Sequence, residues 1–136
     1  MTQENLKQLL LKDLCARLPY HTRVKVWLKD GTTEEGTLDL EHNYGDVLRD
    51  AFYYDKIVKI KPYLFPLSSM TEEQYNEFFS YYHNIEMAEV KASGDYLKAA
   101  YIGDDAKYSW LNENHFDYRG LIEKSLALDA TELNIY

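Results

Sequence analysis

The stretch KPYLFPLSSMTEEQ, residues 61–74, separates two halves of the chain that have different patterns. The residues before it alternate as strands do, and those after it have a helical pattern and are acidic. Pro62 and Pro66 lack a backbone donor and have a fixed φ, so we expect neither inside a sheet or a helix. The apolar residues around them predict a segment packed on a core rather than a flexible linker. Thr71 and Gln74 then predict a helix that begins with a capping box.

The length and composition of the chain predict one globular domain. A chain of 136 residues with 46% hydrophobic residues is long enough to bury a core. We expect residues 1–66 to form a helix and a sheet, and residues 67–136 to form a helical part packed on them. No apolar run approaches the roughly 20 residues of a membrane helix, and the N-terminus lacks a signal-peptide pattern. These observations predict a cytoplasmic protein without a membrane partner.

The net charge of −8 lies in the second half of the chain. Residues 1–66 contain 10 basic and 10 acidic residues, whereas residues 67–136 contain 5 and 13. An acidic half repels phosphate backbones and could meet a basic protein surface, although a solvated acidic face that aids solubility is the more common explanation. The charge therefore disfavours a nucleic acid partner without excluding it, and a protein partner is the expectation. The sequence is also compatible with a homo-oligomer.

Leucines that recur every four positions, from Leu6 to Leu18, predict a first helix over residues 3–18. The one cysteine, Cys15, lies on the apolar side of this helix, so we expect it to be a small core residue. A single cysteine excludes an internal disulfide and a cysteine-based zinc site.

A curved antiparallel sheet is expected next. Hydrophobic residues alternate with charged ones and a turn follows at Asp30-Gly31. The predicted strands are residues 23–29, 32–41, 47–53 and 56–61, and the side chains expected to face the core are Val24, Val26, Leu28 and Leu38. Over residues 3–40, the V-x-V-x-L-x-D-G pattern and the glycine at position 36 resemble the start of Sm-like small barrels. That resemblance implies a small curved barrel of a family that assembles into rings and binds RNA.

The second half predicts helices. Residues 72–83 form a helix pattern with an aromatic stripe that we expect in the core, namely Tyr75, Phe78, Phe79 and Tyr82. Residues 84–103 fit either a helix or a strand, with a break at Ser93-Gly94-Asp95. Within them, residues 96–102 form a short apolar piece that we expect to end at Gly103. Asp104 or Asp105 is expected to cap a short helix over residues 106–114.

Three motifs resemble a known family. They are KPYLFPLSSMTEEQ at residues 61–74, WLN at 110–112 and HFDYRGLI at 115–122. The chain resembles an uncharacterised family of small proteins encoded by gut anaerobes, often in prophages and mobile elements. The resemblance covers most of the length, with residues 84–105 as a variable insert, and it implies a phage or mobile-element context but no particular activity.

The candidate site residues of the second half are His115, Asp117, Tyr118 and Arg119. They could form an acid–base cluster. They could equally be structural, with Asp117 capping a turn and Arg119 pairing with a carboxylate. The spacings His83-x-x-Glu86 and His115-x-Asp117 match no closed metal motif, and glycine-rich phosphate loops are missing, so no metal or cofactor is expected.

We therefore expect a non-enzymatic binding protein of a phage or mobile element that engages a protein partner. The alternatives are an Sm-like oligomer that binds nucleic acid and a small enzyme centred on His115, Asp117 and Arg119. Trp27, which lies among lysines on the polar face of the first strand, joins the HFDYRGLI residues as a candidate interaction residue.

Overall fold

The computed structural model of the chain describes residues 2–38 and 57–136. Its elements in order are α1 (Gln3–Arg17), β1 (Arg23–Leu28), β2 (Thr33–Thr37), β3 (Ile57–Pro66), α2 (Glu72–Ser93), α3 (Tyr96–Glu113), β4 (Phe116–Asp117) and β5 (Leu128–Asp129). Helices combined with an open, mixed sheet confirm the predicted α+β class. The strand predicted at residues 47–53 lies outside the described residues.

Strand β3 is the centre of the sheet. β1 pairs with β2 on one side and with β3 on the other, both antiparallel as predicted. The second half of β3 also pairs in parallel with β4, where Phe65 lies opposite Phe116, and with β5. The N–H of Phe65 donates to the carbonyl of His115, whereas the carbonyl of Leu64 accepts from the N–H of Ala130. Because neighbouring residues direct their backbone groups to opposite edges of a strand, β4 and β5 flank β3 on its two sides.

The two prolines of the 61–74 stretch lie inside β3, contrary to our expectation. Pro62 forms the last register pair with β1, opposite Val24, and Pro66 is the last residue of the strand. Each proline therefore stands where a ladder ends, and the missing N–H interrupts little of the pairing. The stretch packs as expected, since Leu64 is fully buried.

Helix α2 begins with the predicted capping box and extends ten residues beyond the predicted end. The N–H of Gln74 donates to Oγ1 of Thr71 at 3.1 Å, and the N–H of Thr71 donates to Oε1 of Gln74 at 2.9 Å. The helix continues to Ser93 and ends at Gly94, whose φ of 68° is left-handed.

The short helix predicted at residues 106–114 is wrong, because α3 is one helix from Tyr96 to Glu113. Its cap is Asp95, whose Oδ1 accepts from the N–H of Lys98 at 3.0 Å. Gly103, expected to end an apolar piece, lies inside this helix and against α2. A Cβ at this position would lie 3.2 Å from the Cβ of Glu86, so the glycine permits the two helices to pack closely.

The main hydrophobic cluster lies between α1, the sheet and the C-terminal segment. Val24, Val26 and Leu38 are buried in it as predicted, and Leu28 packs against it half-buried. A second cluster joins α3 to β4 through Trp110, Leu111 and Phe116. No helix in residues 2–38 and 57–136 has the length and hydropathy needed to cross a bilayer.

Helix α1 has the predicted bounds to within one residue, and Thr2 caps it. Its buried face differs from the prediction, because Cys15 is exposed while Asp13 and Arg17 are fully buried. Asp13 and Arg17 pair with each other, and their further partners, Arg119 and the carbonyl of Phe116, come from the other end of the chain, so the apolar spacing could not reveal their burial.

Candidate functional site

A buried ion network joins α1 to the HFDYRGLI stretch. Nε of Arg17 donates to Oδ2 of Asp13 at 2.9 Å, and Nη1 of Arg119 donates to Oδ1 of the same carboxylate at 2.7 Å. Nη2 of Arg17 donates to the carbonyl of Phe116 at 2.7 Å. Nη1 of Arg17 has no hydrogen-bond partner among the described residues. The network therefore gives Arg119 the carboxylate partner that its structural interpretation required.

Asp117 organises the turn that follows β4. Its Oδ1 accepts from the N–H of Leu121 and its Oδ2 accepts from the N–H of Ile122, both at 2.9 Å. The carboxylate is buried, and both oxygens are used by the backbone. This is the capping role predicted for Asp117, and it encloses the carboxylate within the turn, where the residue is 7% exposed.

His115 lies in a closed environment beside the C-terminal residue. Its ring stacks on Tyr136 with centroids 3.7 Å apart, and its Nδ1 lies 3.4 Å from Oγ1 of Thr22. Burial, and secondly the positive charge of Arg17, lower the pKa of His115 to about 4. Since a neutral, enclosed imidazole does not donate a proton near pH 7, His115 is poorly suited to be a general acid.

Tyr118 and Arg119 open onto a surface groove, which His115 and Asp117 do not line. The groove has a volume of about 640 Å³, and six of the side chains that line it are Lys12, Tyr20, Asp105, Tyr108, Tyr118 and Arg119. The hydroxyl of Tyr118 donates to Oδ1 of Asn112 at 2.8 Å, and its ring lies 5.1 Å from that of Tyr108. The four candidate residues of the stretch thus divide into an inner pair and an outer pair.

Most of the large hydrophobic side chains that are exposed among the described residues lie on the hairpin of α2 and α3. All residues of α2 are described, and none of them is buried. Within the predicted core stripe of α2, Tyr75 is 55% exposed and Phe79 is 42% exposed, so the expectation that this stripe is core is wrong for them. Only one side of the helix is covered, because Phe78 and Tyr82 turn toward α3 and Phe78 contacts Trp110.

Helix α3 carries an apolar stripe on its outer side. Leu97, Tyr101 and Tyr108 are separated by four and seven residues, which places them on one face of a helix. They are 68%, 70% and 53% exposed, respectively. Tyr108 also lines the groove of Tyr118 and Arg119, so the stripe and the groove are continuous. We call the stripe of Leu97, Tyr101 and Tyr108, together with the adjoining groove, the α3 surface.

Trp27 lies on the other side of the molecule, on the outer face of the sheet. Three ammonium groups surround its indole ring, with Nζ of Lys59 at 4.3 Å, Nζ of Lys25 at 5.3 Å and Nζ of Lys61 at 5.8 Å from the ring centre. The sequence placed Lys25 beside Trp27, but the two lysines of β3 come next to it only through strand pairing.

Sequence reasoning missed the buried charges of α1 and the lysines of β3 around Trp27. Asp13 and Arg17 directly precede two leucines of the repeat and are four residues apart. This spacing is the one signal that could have indicated the ion pair. Within residues 2–38 and 57–136, no group of three metal-ligating side chains is close enough to hold a metal ion.

A scan of protein-family models, a search of curated proteins and a search of solved structures each gave no match for this chain. The site has therefore to be interpreted from its own geometry.

Proposed function

We propose that this protein is a non-enzymatic binding protein that docks through the α3 surface onto a basic protein, in the setting of a phage or mobile element. The observation that carries the proposal is the exposed stripe Leu97, Tyr101 and Tyr108. Exposed aromatic and aliphatic residues that share one helix face are typical of protein interaction sites, and tyrosine is enriched among residues that dominate binding energy.

The charge of the hairpin supports a basic partner. Residues 72–113 contain nine acidic residues and three basic ones. Asp104 and Asp105 lie between Tyr101 and Tyr108, so carboxylates accompany the apolar stripe. A partner that presents apolar side chains among lysines or arginines would match both properties, and opposite charge would also speed the encounter.

The groove beside the stripe supports an extended contact. The stripe continues through Tyr108 into the groove, where Tyr118 and Arg119 offer an aromatic ring and a guanidinium. Two buried carboxylates hold this surface in place. Asp117 fixes the turn, and Asp13 of α1 accepts a hydrogen bond from Arg119. The stretch thus supports binding without acting in a reaction.

The test is site-specific photo-crosslinking. A benzoyl-phenylalanine replaces Tyr101 in one sample and Leu133, which is 48% exposed in the C-terminal segment, in the control sample. Both are exposed to a lysate of the native host, and any crosslinked protein is then produced in pure form for binding measurements. We expect a crosslink from position 101 to a basic protein, none to that protein from position 133, and direct binding by the pure protein.

Two results would overturn the proposal. A crosslink from position 101 to a second copy of this chain, together with a dimer in light scattering, would make the surface a self-association interface. Crosslinked proteins that do not bind when pure, or that bind equally well after Tyr101→Ala and Leu97→Ala, would show that the α3 surface is not a specific docking site.

A further inference from the structure

The outer face of the sheet contains an unusual arrangement of like charges. β1 and β3 are antiparallel neighbours, and their register places Lys25 directly opposite Lys61 and Trp27 directly opposite Lys59. Directly opposite side chains on one face of a sheet lie roughly 5 Å apart at Cβ, and like charges in that relation destabilise the pairing. The ammonium groups of these three lysines consequently lie within 5.8 Å of the centre of one indole ring.

The three lysines lack an ion-pair partner in the described part of the chain. Glu35, which is the register partner of Lys25 on β2, accepts a hydrogen bond from the hydroxyl of Tyr63 at 2.5 Å. Its carboxylate remains negative and offsets part of the charge of Lys25, whereas Lys59 and Lys61 on β3 lie opposite Trp27 and Lys25. Burial, and secondly the charge of Lys59, lower the pKa of Lys61, as expected for an ammonium that lacks a counter-charge.

The indole offsets only part of this repulsion. A cation over an aromatic face gains about 0.5–1 kcal/mol at an exposed site, and one ring serves all three ammonium groups here. An anion between the lysines would relieve the remaining repulsion at once. The pairing of the two strands fixes the backbone positions of the three lysines on one face, so only their flexible side chains have to be ordered when such an anion binds.

We propose that Lys25, Lys59 and Lys61, held around Trp27 on the outer face of the sheet, bind phosphate groups. Phosphate fits three converging ammonium donors because it presents several charged acceptor oxygens to them. Such a group can come from single-stranded nucleic acid or from a small phosphorylated molecule. This site is separate from the α3 surface, and it does not depend on the function proposed for that surface.

The test uses two probes, a labelled single-stranded oligonucleotide followed by anisotropy and pyrophosphate followed by the fluorescence of Trp27. The other tryptophan, Trp110, is buried in the second cluster and serves as a constant background. Neutralising two or three phosphates of a single strand releases their counterions and predicts a log–log salt slope of about −1.4 to −2.1, which is roughly a 25- to 125-fold loss of affinity between about 25 and 250 mM salt. The variant Lys59→Ala/Lys61→Ala should weaken binding about tenfold or more.

The matched control is Lys98→Ala/Lys107→Ala, which makes the same change in net charge on α3 and should leave binding unchanged. Oligonucleotide binding with pyrophosphate inactive assigns the site to nucleic acid, and pyrophosphate binding with the same lysine dependence assigns it to small phosphates. The proposal is overturned if neither probe binds at low salt, if the two double variants weaken binding equally, or if a polyglutamate peptide binds as tightly with the same dependence on Lys59 and Lys61.

Discussion

Arg119 donates a hydrogen bond of 2.7 Å to Asp13, a residue 106 positions earlier in the chain. The same carboxylate accepts from Arg17 at 2.9 Å, so one buried aspartate holds two arginines. The contact ties α1 to the turn that follows β4 and fixes the end of the groove lined by Arg119. A buried charge that loses its partner is costly, so this network is sensitive to single substitutions.

Replacing Asp13 should destabilise the fold more than replacing Arg119. Asp13→Ala leaves the fully buried guanidinium of Arg17 without a counter-charge, for which we expect a loss of about 3–5 kcal/mol in the free energy of unfolding. Arg119→Ala should cost less, because its side chain is 16% exposed and Arg17 continues to pair with Asp13. Chemical denaturation measures both. A cost for Arg119→Ala equal to that of Asp13→Ala would contradict this ordering.

Phe116 should contribute more to stability than Asp117. Phe116→Ala removes a ring that is 1% exposed and packs on Trp110 with centroids 5.8 Å apart, and such truncations typically cost about 3–5 kcal/mol. Asp117→Ala should cost about 1–3 kcal/mol, because the buried N–H of Leu121 loses its acceptor. Thermal melts of both variants, with Glu132→Ala as an exposed control, test this ranking. Unchanged melting after Phe116→Ala would show that β4 is not packed as described.

Stability should fall in acid because of His115. Its pKa is about 4 in the folded protein, below the ordinary value of 6.5, so the unfolded chain binds more protons between these values. The contribution of His115 is therefore fully present above about pH 6.5 and is lost as the pH falls toward about 4. His115→Asn keeps a residue type that tolerates the left-handed φ of 63° and removes this titration.

The measurement is the free energy of unfolding of the wild type and of His115→Asn across that range of pH, with the exposed His83→Asn as the control. We expect a shallower acid loss for His115→Asn and an unchanged slope for His83→Asn. Parallel curves for the wild type and His115→Asn would mean that the imidazole is not held neutral.

The local parts of the fold could be predicted from the sequence, because local physics determines them. The capping box of Thr71 and Gln74, the burial of Val24 and Val26, and the cap formed by Asp117 each depend on residues a few positions apart. The α+β class followed from the same periodicities. Gly103 was misinterpreted because a glycine in a helix and a glycine that ends one have the same local signal, and the deciding contact with Glu86 is long-range.

The candidate site was harder to predict, because its contacts cross the whole chain. The partners of Arg119 and Arg17 lie on α1 and β4, and the lysines around Trp27 come from two strands. The aromatic stripe of α2 has the periodicity of a core face, yet Tyr75 and Phe79 remain exposed. Periodicity shows that a helix has an apolar side, but it does not show whether the same chain covers that side.

The most direct test of the proposed function is the affinity of the pure crosslinked partner for three forms of the protein, measured by calorimetry. Leu97→Ala/Tyr101→Ala truncates the exposed stripe, and His115→Asn alters the enclosed inner residue. We expect the stripe variant to bind about tenfold more weakly or worse, and His115→Asn to bind like the wild type at neutral pH. Loss of binding in His115→Asn at unchanged stability, with the stripe variant still binding normally, would contradict the account and place the functional site at His115.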